Sequence, residues 1–369
     1  MSREGGAAKR RPAWERLPLL ALGFVALFVG VGAGLARLGW PVPGLAAGAA
    51  AWHGPLMVCG FFGVVISLER AVAIGRAWAY MAPLSAGLGA AALVHSAFAV
   101  GAWLMVVASV LLMAASLQVL ARQREGFVLV IALGAACWGI GTVLWALGAP
   151  VYRVVGWWIG FLVLTIAGER LELSRFLPPS TAARRLFGLV VAAMLAALAA
   201  WPWRAGAANL YGATLLALAA WLLRQDIARR TVKQRGLTRF IAVCLLSGYF
   251  WLAVGGAVIA TAGLEPGRPA YDAALHALLL GFVFSMVFGH APIIFPAVLR
   301  VDVPYRRWFY APLVLLHASL ALRLAGDAAG RLELARWGGL LSALALLAFV
   351  AGTALAVIHG RRTGPRLAT

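Results

Sequence analysis

The chain has 369 residues, of which 63% are hydrophobic and only 12% charged. Soluble domains carry about 45–50% apolar and about 25% charged residues, so there are too few polar side chains here to cover a water-facing surface. A soluble enzyme, a disordered chain and a secreted disulfide scaffold are excluded at this step. The net charge of +20 does not point to nucleic acid, because the basic residues sit in short segments between apolar runs, where charge sets topology.

The apolar runs are long and continuous, unlike the short alternating strands of a membrane barrel. Runs near 17–36, 44–68, 77–96, 98–121, 126–147 and 150–168 predict the first six membrane helices. Runs near 186–203, 208–223, 239–263, 271–299, 308–325 and 335–358 predict six more. The predicted fold is therefore all-α, a polytopic membrane protein of about twelve transmembrane helices. Its domains are a basic tail 1–16, a membrane domain 17–358 and a basic tail 359–369. Pro and Gly mark the connections at Trp40-Pro41-Val42-Pro43-Gly44, Pro178-Pro179 and Pro266-Gly267. Gly30-Val31-Gly32-Ala33-Gly34 is a small-residue stretch of the kind that lets helices approach closely. Cys59, Cys137 and Cys244 lie inside apolar runs without metal-ligand spacing and read as small core hydrophobes.

With the N-terminus inside, the inner segments hold 25 of the 32 Lys and Arg and the outer segments hold 7. This asymmetry predicts a multi-pass protein of the inner (cytoplasmic) membrane with both termini cytoplasmic. The first run is long and lacks a small-x-small cleavage site, so it reads as an anchor. Leu68-Glu69-Arg70 in the second span is echoed by Gly168-Glu169-Arg170 in the sixth, and Gly289-His290-Ala291-Pro292 stands in the tenth. The spacing of four spans predicts three arcs of four helices. As a plain feature, each Glu-Arg pair is an interfacial charge cluster at a helix end.

Ionisable side chains at membrane depth mark functional sites. Of six His residues, His95 and His359 fall at span ends, whereas His53, His276, His290 and His317 lie within spans. His53 and His276 both lie near the outer ends of even-numbered, hence co-directional, spans. Two imidazoles at matching depth are able to hold one haem iron from opposite faces. As plain features they would be two polar side chains bonded to neighbouring helices.

His53-Gly54-Pro55-Leu56-Met57, with Phe61-Phe62-Gly63 beyond it, resembles the second helix of the haem–copper oxidase catalytic subunit. His276-Ala277-Leu278-Leu279-Leu280-Gly281-Phe282-Val283-Phe284-Ser285-Met286, with Gly289-His290 and Phe295-Pro296, resembles its tenth helix. The resemblance covers about 50 residues and otherwise only the topology. It implies that His53 and His276 are the axial ligands of a haem b. The chain is also similar to the NnrS family, associated with haem, copper and nitric-oxide stress, although no acid comes after His53 here. Ala274 replaces the further His that the oxidase family places two residues before its tenth-helix ligand, and the sixth and seventh spans contain no His. Copper is thus not expected, because no cluster of imidazoles can be assembled, and any enzymatic activity would be oxidoreductase-related.

Four more residues are secondary candidates. His290 shares a helical face with His276 on an ideal helix, 14 residues on, and Pro292 beside it suggests that it caps freed carbonyls. His317 is a hydrogen-bonding or cavity-facing residue, and Met57 a packing residue or soft ligand. Asp272 is a helix N-cap or an orienter of His276. The expected function is a haem-b-binding membrane protein for electron transfer or for response to nitric oxide or oxygen. Its partners are the bilayer and a redox partner or small gas ligand, with no nucleic acid. The alternatives are a twelve-helix secondary transporter and a cofactor-free membrane assembly factor.

Overall fold

In hydrocarbon every backbone N–H and C=O must find its partner within the chain, which leaves helices as the economical answer for these runs. A computed structural model describes residues 13–173 and 179–363, and among them there are helices and no strands. The tail residues 1–12 and 364–369 and the first Pro of Pro178-Pro179 lie outside the described residues. Among the described residues twelve helices are long and apolar enough to cross a membrane. They are α1 (Trp14–Arg37), α2 (Ala50–Ile74), α3 (Ala77–Val94), α4 (Phe98–Arg122), α5 (Gly126–Ala146) and α6 (Val151–Leu173). The second half contains α7 (Thr181–Ala200), α8 (Ala207–Gln225), α9 (Gly236–Ala262), α10 (Pro269–Leu299), α11 (Arg307–Ala329) and α12 (Leu332–His359).

The second helix differs most from the sequence expectation. Residues Gly44–Gly48 form a separate short helix, and a tight turn at Ala50–Trp52 leads into α2. The backbone leaves helical geometry at Ala49 (φ −90°, ψ 7°), so the membrane helix begins at Ala50, six residues later than the apolar run. His53 therefore lies three residues into α2.

Successive helices pack on one another, and α1 also touches α12, so the order closes into a ring. The innermost members are four spans apart. Helix α10 meets α2 and α6, and α6 is the most buried span of all. This is the arrangement that three arcs of four predict. The small-residue content explains how the helices come so close: a Cβ added at Gly212 of α8 would collide with the backbone nitrogen of Ala260 in α9. Only a residue without a side chain fits there.

Several charges within the bundle are tethered. Arg16 donates to the Val298 carbonyl at 2.6 Å, tying the start of α1 to the end of α10. Tyr249 donates to the Asp226 carboxylate at 2.5 Å, and Arg170 lies 3.9 Å from the same carboxylate. The three Cys residues are free and buried, filling space as small hydrophobes do.

Gly212→Val should destabilise the protein by roughly 1–3 kcal/mol through overpacking, read as a lower melting temperature in detergent. Gly188→Val is the matched control: a Cβ at that exposed α7 position meets nothing within 4 Å, and its melting temperature should stay near that of the wild type.

Candidate functional site: a facing histidine pair

Helices α2 and α10 share an irregularity that their sequences do not advertise. Each is interrupted by a seven-residue π-helical segment, Leu56–Phe62 in α2 and Ala277–Val283 in α10. Such segments are uncommon and gather at functional sites, because they insert one residue into the helical repeat and re-aim every side chain beyond it. In an ideal α-helix residues seven apart return to one face, whereas residues eight apart diverge by roughly 80°. The inserted residue reverses that rule. His53 and Phe61 are eight apart, as are His276 and Phe284, and both pairs meet across the α2–α10 gap.

The imidazoles of His53 and His276 have centroids 6.4 Å apart and planes within 13° of parallel. Two turns along, Phe61 and Phe284 face each other at 5.9 Å with planes 1° apart. Rings in full contact elsewhere in the protein stand much closer, as Phe288 and Phe349 do at 3.8 Å. The histidine gap is thus wider than a direct stack.

Each imidazole is held by its Nδ1. His53 Nδ1 donates to the Gly30 carbonyl of α1 at 2.7 Å. His276 Nδ1 donates to the Asp272 carbonyl at 2.9 Å, with the Asp272 carboxylate 3.4 Å away. A carbonyl oxygen only accepts, so Nδ1 must carry the proton in both rings. In the neutral imidazole the lone pair then resides on Nε2, the arrangement a metal-ligating His requires. The small-residue stretch of α1 explains how His53 fits. Gly30 supplies the carbonyl, and a Cβ at Gly34 would lie 2.8 Å from His53 Cε1. The Met57 thioether fills the space beside Gly30, so Met57 is a packing residue between α1 and α2.

The centroid separation equals that of a bis-imidazole iron site in which the two Nε2 atoms point at each other. Two metal–nitrogen bonds of about 2 Å each, plus the centroid-to-nitrogen distance of about 1.2 Å in each ring, sum to roughly 6.4 Å. On the side of the phenylalanine pair the surroundings are apolar, whereas Asp272 and Arg323 stand beside His276. A cavity of ≈ 640 Å³ extends from the phenylalanine pair toward the other face of the bundle, lined by Leu27, Phe61, Phe284, Phe288 and Phe349 among others. Among the described residues no group of three or more His, Cys, Asp or Glu converges as a metal site. A porphyrin supplies four nitrogens of its own and asks only two axial ligands of the protein.

The other candidates are placed elsewhere. His317 has both nitrogens engaged: Trp251 Nε1 donates to its Nδ1 at 2.9 Å, and its Nε2 donates to Ser247 Oγ at 3.0 Å. It is an interhelical clasp between α9 and α11 with no lone pair to spare. His290 does not keep the face of His276, because the π segment turns it roughly 140° away from that side. Arg170 and Asp226 act on it electrostatically, and its Nδ1 donates to the Met286 carbonyl at 2.7 Å. That is not the Phe288 carbonyl whose α-helical partner Pro292 removes, so the capping expectation is not met. Asp272 is not an N-cap either. Arg268 occupies the cap position without a side-chain bond, and the Asp272 carboxylate instead receives Arg323 Nε at 2.8 Å and Nη2 at 2.9 Å. His95 is exposed beyond the end of α3.

Sequence reasoning missed Arg323, counted among the outer-segment charges. It lies within α11 and is 7% exposed, where Gly338 and Gly339 of α12 make room for it. Its spacing from Asp272 carries no local signal. The echo between inner helices also extends past the two Glu-Arg pairs. Gly60-Phe61, Gly160-Phe161 and Gly281-Phe282 each stand nine residues before Glu69, Glu169 and His290. Glu69 and Glu169 share a second cavity of ≈ 580 Å³ with Arg70, Arg122 and Glu172.

His317→Leu should lower stability by about 1 kcal/mol, the usual scale of an interhelical hydrogen bond in a membrane protein, because it strands Trp251 Nε1. A thermal melt in detergent measures this. Unchanged stability would show that the clasp contributes nothing.

A family model described as "Domain of unknown function (DUF8744)" matches residues 16–358, and the chain belongs to that family. No curated protein and no solved structure matches it.

Proposed function

We propose that this DUF8744 protein is an integral membrane haem-b protein, with His53 and His276 as the two axial ligands, that works in electron transfer. The observation that carries this reading is the facing pair, 6.4 Å apart and within 13° of parallel. Bound there, a haem b would supply a reversible one-electron site, held by His53 and His276.

The chain's own residues do the holding. Gly30 and Asp272 fix the two Nδ1–H groups through their carbonyls, which sets the ring orientations and leaves Nε2 for the iron. The Phe61–Phe284 pair and the apolar cavity beyond it keep water from that side. Arg37 and Arg323 place positive charge near His53. A response to nitric oxide or oxygen requires one imidazole to leave. His53 is anchored to a neighbouring helix and His276 to its own turn, so both are restrained and electron transfer is the better reading. A transporter needs unwound segments lined with polar groups at mid-membrane. Helices α2 and α10 are instead interrupted by π turns that keep the helical path and are lined by apolar residues. The charge asymmetry places the histidine end outside and both termini inside a cytoplasmic membrane.

Protein expressed with ample haem and purified in detergent should show a reduced-minus-oxidised α-band. His53→Ala and His276→Ala should each lose it, and His95→Ala should keep it. Equal spectra in all three variants, or no band in the wild type, would overturn the assignment.

A further inference from the structure

Beyond its backbone, Asp272 does something the haem reading does not require. Its carboxylate is gripped by both arms of a guanidinium from another helix, Arg323 Nε at 2.8 Å and Nη2 at 2.9 Å. The same carboxylate stands 3.4 Å from His276 Nδ1, whose hydrogen bond ends on the Asp272 carbonyl. Two-armed pairing of this kind fixes direction as well as distance. A short chain of contacts therefore runs from α11 through Asp272 to the His276 ring. Arg323 is 7% exposed, whereas the Asp272 side chain is 38% exposed.

We infer that Arg323 and Asp272 are positioning residues for His276 and that their fixed charges set how readily the site takes up an electron. The inference rests on the haem reading and adds a tuning device to it. Its physics is one of sign. An electron added at the liganded position is stabilised by a nearby positive charge and opposed by a negative one. The guanidinium is nearly sealed from water, so its field is weakly screened, while the partly exposed carboxylate is screened more. Loss of Arg323 should then have the larger effect. Asp327 is one turn further along α11, with a buried Oδ2 that has no hydrogen-bond partner. It adds a second carboxylate near the same guanidinium.

The test is a potentiometric titration of the α-band in the purified full-length protein. Arg323→Gln should make reduction harder, lowering the reduction equilibrium about tenfold, which for one electron is about 59 mV. Asp272→Asn should make reduction easier by a smaller factor. Arg323→Lys keeps the charge but loses the fork, and it should return most of the way to the wild-type potential. Opposite signs in the first two variants are the signature of charge. If the pair merely staples α10 to α11, both variants shift the same way or lose haem together, and the inference fails. Unmoved potentials with an intact α-band also defeat it while leaving the haem reading in place. A wild type without an α-band removes both.

Discussion

Two imidazoles facing each other across a gap between helices, inside a largely apolar bundle, constrain the packing around them. Each ring needs an acceptor for its Nδ1–H, because a buried polar group without a partner is costly. His53 finds one only because α1 presents the bare Gly30–Gly34 stretch to it, and His276 finds one in its own preceding turn. The gap itself is kept by π segments in both helices, which align His53 over Phe61 and His276 over Phe284.

The rest of the bundle supports that arrangement by close packing. Glycines at the α8–α9 contact remove side chains where backbones meet. Several charges within the helices are tied to carbonyls or to partner side chains, as with Arg16 and Val298, Asp226 and Tyr249, and Arg323 and Asp272. The three inner helices repeat a Gly-Phe step with Glu69, Glu169 or His290 nine residues later. The repeat places one ionisable group at a matching level on each of α2, α6 and α10. The gap between α2 and α10 is apolar, and the one lined by α2 and α6 is polar.

Much of this architecture was legible in the sequence, because hydrocarbon length and backbone satisfaction leave few alternatives for a run of about twenty apolar residues. The twelve spans and the matched depth of His53 and His276 come from counting. The π segments do not, since an inserted residue leaves no mark on composition or hydropathy. For that reason the shared face expected for His276 and His290 does not hold. Arg323 was also illegible as a site residue. It stands 51 positions from Asp272, and only the packing of α10 on α11 brings them together. The late entry of α2 was not readable, because the apolar run continues across the break at Ala49.

The central claim is that one polypeptide grips one haem through two near-parallel imidazoles. Low-temperature electron paramagnetic resonance of the oxidised, full-length protein tests it most directly. The 13° angle between the ring planes predicts a low-spin ferric signal of rhombic type, accounting for one haem per chain. A high-spin signal, or protein that carries no haem after haem-replete expression, would contradict it.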